Sequence, residues 1–507
     1  MLLLALAGCA TQPATAPLVP PAPESAARPA ASGILADIEH ELQARHGPTV
    51  SGFELLDRSD DGLRWRLALI DSARQSLDIQ VYLWFSDGTG TLLLKRVLDA
   101  ADRGVRVRLL LDDINSLLKD AGTVMLRDEI FAMIDSHPNV QMRLFNPWRS
   151  RDLISRVSET VTDLDRLDHR MHNKAMIVDN RVAILGGRNL ADEYFGFNED
   201  FNFHDLDVMG FGPVARQASA VFDLYWNSRW VIKVSALGFA FKPAQAGAAR
   251  ERMARELEQS PALARFASTP ATWDPDFAAV AARLKPGTSK VLSDVPEDSG
   301  IRQDLAEALY RAGAGAQREL LIVNAYIIPD ERFVAALREL RARGVEIRIL
   351  TNSLASHDVP AVNSHYKPWR RTIREASTGL YELRHDAQIQ RHVVESPPTQ
   401  AGFVGLHSKA MVVDRRHVFI GSMNFDPRSA SLNTEMGVFV DSPALGAELA
   451  ARIERDMAPA NSWRVEVETG GSLIWINDRE TKSVQPARNF WQRIEDVIFM
   501  AFPRSLY

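Results

Sequence analysis

The feature that most constrains this chain is a repeat. The run "HNKAMIVD" at 172–179 returns as "HSKAMVVD" at 407–414. Upstream, "RGVRVRLLLDD" at 103–113 is echoed by "RGVEIRILTNS" at 343–353. Each echo follows a helical pattern, "GTLLLKRVLDAAD" and "ERFVAALRELRA". Each helical pattern in turn follows a β-rich run holding a tyrosine, "LDIQVYLWF" and "LLIVNAYII". Strand, helix and strand in that order predict βαβ units with parallel sheet. The repeat therefore predicts two similar α/β lobes, 34–285 and 286–470, with 471–507 as a separate appendage. A helix over 214–230 is expected to close the first lobe.

In a strand, residues two apart share a face. His172 and Lys174 can thus reach one pocket together, as can His407 and Lys409. Asp179-Asn180 and Asp414-Arg415 suit hairpin turns between this strand and the next. Gly186-Gly187 and Gly421-Ser422 come next, small enough to let backbone approach a ligand. Asn189 and Asn424 follow, each near an apparent helix start, where phosphate binds favourably. Each half offers an imidazole, an ammonium, an amide and backbone N–H groups, a set suited to an anionic phosphoryl group.

These residues resemble the signature of the phospholipase D superfamily, twice: His172, Lys174, Asp179, Gly186, Gly187 and Asn189, then His407, Lys409, Asp414, Gly421, Ser422 and Asn424. The resemblance runs from about residue 50 to the C-terminus. "YLWFSDGTG", "RGVRVRLLLDDI", "MHNKAMIVDNRVAILGGRNLADEYF", "DLDVMGFGPV" and the ending "FWQRIEDVIFMAFPRSLY" are similar to bacterial cardiolipin synthases, most of all the C type. Phe502-Pro503 stands where Leu-Pro is expected. The implied fold is two α/β/α lobes with mixed sheets about a pseudo-twofold, sharing one active site at their interface. The implied chemistry is double displacement at a phosphodiester through a phosphohistidine. Family precedent makes His172 the nucleophile and His407 the acid and base. Lys174, Lys409, Asn189 and Asn424 would hold the phosphoryl oxygens. No metal or other cofactor is called for, and no strong ligand motif such as H-E-x-x-H is present.

The aspartates divide. Asp179 lies seven residues along the strand from His172, too far for chemistry, and is expected to brace the hairpin; Asp414 is its counterpart. By resemblance, the carboxylates that orient the imidazoles are Asp205 and Glu435. His204, Asp205 and Asp207 could be imagined as a metal site, but ordinary pairing explains them better.

Composition enters in two places. Net charge is −6, which argues against wrapping nucleic acid. The only cysteine, Cys9, rules out an intrachain disulfide. It follows "MLLLALAG", which resembles a lipoprotein signal at 1–8, although no Lys or Arg opens it. Residues 9–33 would then be a lipidated cysteine and a Pro/Ala-rich tether, with the proline-rich stretch 13–32 extending at about 3.1 Å per residue. This places the protein in a bacterial envelope, lipid-anchored and facing the periplasm, with Ala10 favouring the outer membrane. No run of 18 apolar residues indicates a transmembrane helix. Two basic-aromatic stretches, 145–156 and 365–375, could meet lipid headgroups; for 365–375 a helix covering the sheet fits better.

The expected activity is phosphatidyl transfer making cardiolipin from phosphatidylglycerol and a second phospholipid, phosphatidylglycerol or phosphatidylethanolamine. Hydrolysis to phosphatidic acid and phosphodiester cleavage in nucleic acid are the alternatives. The sequence names no protein partner.

Overall fold

A computed structural model describes residues 23–113, 124–149, 153–237, 244–260, 263–267 and 272–502. Cys9 and most of the expected tether lie outside them. Within them, one sheet of 18 strands runs through both halves. In spatial order the first half contributes Val231–Lys233, Val140–Phe145, Arg106–Asp112, Ser76–Val81, Ala175–Val178, Val182–Gly186, Asp207–Phe211 and Ser51–Leu56. The second half contributes Lys285–Ser293, Met436–Asp441, His417–Gly421, Lys409–Val413, Glu319–Asn324, Glu346–Asn352, Gly379–Leu383 and Ser462–Val467. Only the central three strands of each half are mutually parallel.

The repeated Arg-Gly-Val step has a local cause. Helices Gly88–Asp102 and Glu331–Ala342 begin at Asp87 and Asp330, whose carboxylates accept from Gly90 N and Phe333 N at 2.9 and 2.8 Å. Each ends on a glycine with positive φ, Gly104 and Gly344. The next residue donates back across the last turn, Val105 N to Ala100 O and Val345 N to Leu340 O, both at 3.1 Å. This Schellman ending turns the chain straight into the next parallel strand, and a side chain would strain it.

Three buried apolar clusters fill the molecule. One lies on the outer face of each half-sheet. The third joins the inner faces, bringing Phe53, Ile177 and Trp226 together with Val323, Leu406 and Val412. The helix closing the first half is Pro213–Trp226, ending short of the expected 230.

Two expected boundaries change. The strand starting at Lys285 pairs with Ser51–Phe53 through residue 287, then with Met436–Asp441, so it belongs to both halves. Residues 473–482 are not separate from the second half. Leu473–Ile476 and Thr481–Lys482 extend the second half's sheet. Trp475 Nε1 donates to the buried carboxylate of Glu382, which also binds Arg370. That leaves Arg370 of the 365–375 stretch inside the protein, consistent with a covering helix. Trp148 is likewise buried, near the guanidinium of Arg170, while 150–152 lie outside the described residues.

Asp179 and Asp414 occupy equivalent hairpins. Both turns place two successive residues at positive φ, Asp179-Asn180 and Asp414-Arg415, as tight type I′ connections require. The Asp179 carboxylate accepts from the backbone N–H of Arg74, Gln75 and Ser76. Asp414 does the same for Gln317, Arg318 and Glu319. Each clamps the loop that feeds the first parallel strand of its half. Burial pushes the Asp414 carboxyl up, but the three donors outweigh it and hold it below its ordinary value. We expect Asp414→Ala to cost about 2 kcal/mol in urea unfolding. A depressed folded pKa stabilises above the unfolded value, so the difference between wild type and variant should shrink as pH falls below about 4. A variant as stable as wild type at pH 7 would remove the clamp.

Candidate active site

The two signature histidines sit just ahead of their strands, Ala175–Val178 and Lys409–Val413, rather than inside them. There the chain leaves its own sheet and pairs with the other half. Met171 bridges to Thr434, and His172 N donates to Thr434 O at 2.9 Å. In the other direction, Phe403–Leu406 runs parallel to Phe201–His204, and His407 N donates to His204 O at 2.8 Å. The residues after Thr434 and His204 are Glu435 and Asp205. Each carboxylate therefore arrives beside the histidine of the opposite half.

The contacts are crossed. His172 Nδ1 lies 3.0 Å from both oxygens of Glu435, and His407 Nδ1 lies 2.6 Å from Asp205 Oδ2. The amine of Lys174 donates to His172 O, and that of Lys409 to His407 O, both over two residues. The four side chains are close enough to shift one another's proton affinity across the interface. All are buried, the histidines at 8 % and 5 % exposure.

Burial sets the protonation states. It lowers His172 well below 6.5, helped by Lys174 and Lys409. It lowers His407 as well; Lys409 adds to this and Asp205 opposes it. It brings Lys174 down to about 7 and Lys409 to about 8, against the pull of Glu435 and Asp205. Burial pushes Asp205 up, but His407 and Lys409 overcome it and keep the carboxyl below the usual range. The hydrogen bond at His407 thus runs from a neutral Nδ1–H to a carboxylate, leaving Nε2 with its lone pair. Glu435 is pushed well above its ordinary value by burial, only partly offset by Lys174 and by donors from Ser422 and Ser429.

The supporting residues differ between halves. Gly186 and Gly187 were expected to face a ligand. Instead a Cβ at Gly187 would lie 2.2 Å from Asp205 Oδ1, and one at Gly186 2.3 Å from Asp207 Oδ1. They are small because the carboxylate strand packs against them. A Cβ at Gly421 would lie 2.5 Å from Met436 O. Asn189 is engaged internally, giving Nδ2–H to the Tyr194 hydroxyl at 2.9 Å and accepting from Leu83 N. Asn424 keeps a buried amide oxygen without a partner among the described residues. No imagined metal triad forms: His204 pairs with Asp456, Asp205 with His407, and Asp207 with Arg66 and Arg188.

Two tyrosines belong to the site without having been assigned to it. Tyr82 and Tyr326 stand just past the first parallel strand of each half. Tyr82 meets the His172 ring edge-on at 4.9 Å, with the Lys174 amine 5.3 Å from its centroid. Tyr326 meets His407 edge-on at 6.3 Å, with Lys409 at 5.8 Å. The signal was in the repeat, as the one tyrosine in each β-rich run. Ser429, which donates to Glu435, carried no such signal.

Residues 67–226 and 311–457 match a protein family described as cardiolipin synthase, PLD-like domain. The chain is 34% identical over 468 residues to cardiolipin synthase C of Escherichia coli, covering 88% of this chain and 94% of that one. It is 26% identical to cardiolipin synthase B of Shigella flexneri, over 78% and 80%. Among solved structures, a phosphatidylserine synthase of Haemophilus influenzae superposes with a TM-score of 0.55 at 14% identity, covering 83% of this chain and 91% of that one; this likeness is one of fold.

Crossed pairing has a thermodynamic signature. Double-mutant cycles on unfolding should give a coupling of at least about 1 kcal/mol for His407 with Asp205 and for His172 with Glu435. The swapped combination, His172 with Asp205, should couple less than half as strongly. Equal couplings would contradict the crossed arrangement.

Proposed function

Because the chain belongs to the phospholipase D-like family of cardiolipin synthases, we propose that it is a phosphatidyltransferase that makes cardiolipin with phosphatidylglycerol as acceptor. The observation that carries the mechanism is the crossed pair of neutral imidazoles, each with its Nδ1 on a carboxylate of the other half. Nε2 of His172 attacks phosphorus; a P–N bond forms and the P–O bond to the donor's headgroup breaks. His407, which takes up a proton from solvent on Nε2 as the anionic phosphodiester binds, gives that proton to the departing oxygen. It then takes the proton of the acceptor hydroxyl, whose oxygen displaces His172. His172 suits the nucleophile's role because burial keeps its imidazole unprotonated. His407 is the better acid because the ionised Asp205 behind it steadies its cation. The arriving phosphodiester supplies the negative charge that the lysine pair lacks, and Lys174, Lys409 and the side-chain amide N–H of Asn424 surround it as donors. The donor is phosphatidylglycerol or phosphatidylethanolamine. Lipidation at Cys9 would hold the enzyme in the bacterial envelope, facing the periplasm.

The test is a mixed-micelle assay with labelled phosphatidylglycerol, with and without phosphatidylethanolamine. Cardiolipin is the expected product; phosphatidic acid alone would replace transfer by hydrolysis. His172→Ala and His407→Ala should each lower turnover at least a thousandfold. Labelled phosphatidyl group should be trapped on His407→Ala but not on His172→Ala. The reverse trapping pattern would exchange the two roles.

The pH profile follows from the same groups. As pH rises through about 7 to 8, the free enzyme loses the Lys174 and Lys409 ammonium charges, so kcat/KM should fall on that limb. It should also fall in acid, well below 6.5, as His172 gains a proton. Bound phosphate favours the ammonium forms, so the alkaline limb of kcat should lie higher than that of kcat/KM. Coincident alkaline limbs would separate the lysines from phosphate binding.

A further inference from the structure

The helix Phe490–Phe499 is packed inside out. Its buried face is polar. Gln492 donates to Leu354 O and accepts from Arg488 N, while Asp496 accepts from Asn363, Lys367 and Gln485. Its outward face is apolar, with Phe490 and Trp491 each 70 % exposed, Val497 61 % and Ile498 55 %. At about 100° per residue these four and Ile494 fill an arc of about 120°, with Arg493 and Glu495 on its two borders. A helix surrounded by water does the opposite. Met500 and Phe502 continue the exposed apolar surface past the helix end.

We propose that this face docks the protein on a phospholipid bilayer, the aromatic rings lying at headgroup depth. Within the arc the indole N–H is the only hydrogen-bonding side-chain group, so whatever covers it is met without directional contacts. That is how an interfacial helix meets lipid, with Trp and Phe at the polar boundary. The face also adjoins the candidate site. Gln492 and Arg488 grip the carbonyls of Leu354, Ala355 and His357. In that same loop the His357 ring stacks on Tyr326 at 5.3 Å, and Asp358 accepts from the Tyr326 hydroxyl at 2.6 Å. Tyr326 is the ring that flanks His407. The inference rests on the transferase reading in one respect: it is the lipid substrate that makes the bilayer the expected occupant.

The test uses the full chain carrying Cys9→Ser, which removes its only cysteine and any lipid attached there. Sedimentation with vesicles of phosphatidylglycerol and phosphatidylethanolamine is compared with and without Phe490→Ser, Trp491→Ser and Val497→Ser together. The triple variant should bind at least tenfold more weakly and lose vesicle turnover in proportion. Its turnover of dihexanoyl phosphatidylglycerol, dispersed below its micelle concentration, should be unchanged. Equal vesicle binding would overturn the proposal. So would loss of turnover on the dispersed lipid, or a change in oligomeric state with vesicle binding intact. Vesicle binding is read without turnover, so failure of the transferase reading shows separately, as absence of cardiolipin from the unsubstituted chain on either substrate.

Discussion

The structure depends on a carboxylate from one half standing behind the imidazole of the other. Asp205 and Glu435 reach His407 and His172 only because short stretches of backbone cross between the halves immediately before them. The histidine N–H bonds the residue preceding the carboxylate, while its ring bonds the carboxylate itself. Main chain and side chain thus set the same register twice. The strand from Lys285, paired with both half-sheets, and the shared inner core make the crossing rigid. Neither half could keep a complete site alone, since each would hold an imidazole without its carboxylate.

So many ionisable groups in one buried place are costly unless they neutralise one another. Two amines with lowered proton affinity face the ionised Asp205 and the raised carboxyl of Glu435, and both imidazoles are held neutral. Burial is the largest influence on each of these six groups. The lysines are left close to neutrality in their proton affinity, so the site becomes most strongly cationic when an anion arrives. That suits a phosphodiester, which is bound through charge that the empty protein holds only weakly. The same logic gives the halves different characters. Asp205 accepts from the His407 ring and the Leu206 backbone N–H, whereas Glu435 spreads its oxygens over His172, Ser422 and Ser429.

The C-terminal helix shows why average composition says little about surfaces. Its residues look like an ordinary amphipathic segment, and periodicity alone would turn the Phe490–Ile498 stripe inward. Gln492 and Asp496 reverse that choice because the loop carbonyl at Leu354 and the amide of Asn363 offer them buried partners. A polar contact network therefore selects which face of the helix is left outside, at the edge of the candidate site.

Much of the architecture was legible in the chain itself. Repetition of the Arg-Gly-Val step specified two βαβ units, since a helix-ending glycine and a following valine are local requirements. The Asp179 and Asp414 turns were readable for the same reason, each at the far end of the strand that follows its histidine. The sequence by itself determined the two βαβ repeats and the paired imidazoles and lysines, while the supporting acids were named only by resemblance to the family. Tertiary structure alone decided that those acids cross over, that Gly186 and Gly187 make room for a strand rather than a ligand, and that Asn189 is used internally. It also decided that residues 473–482 belong to the second sheet. These outcomes turn on which side chains occupy the space between distant strands. Spacing along one chain carries local geometry, but it holds no record of what packs across an interface.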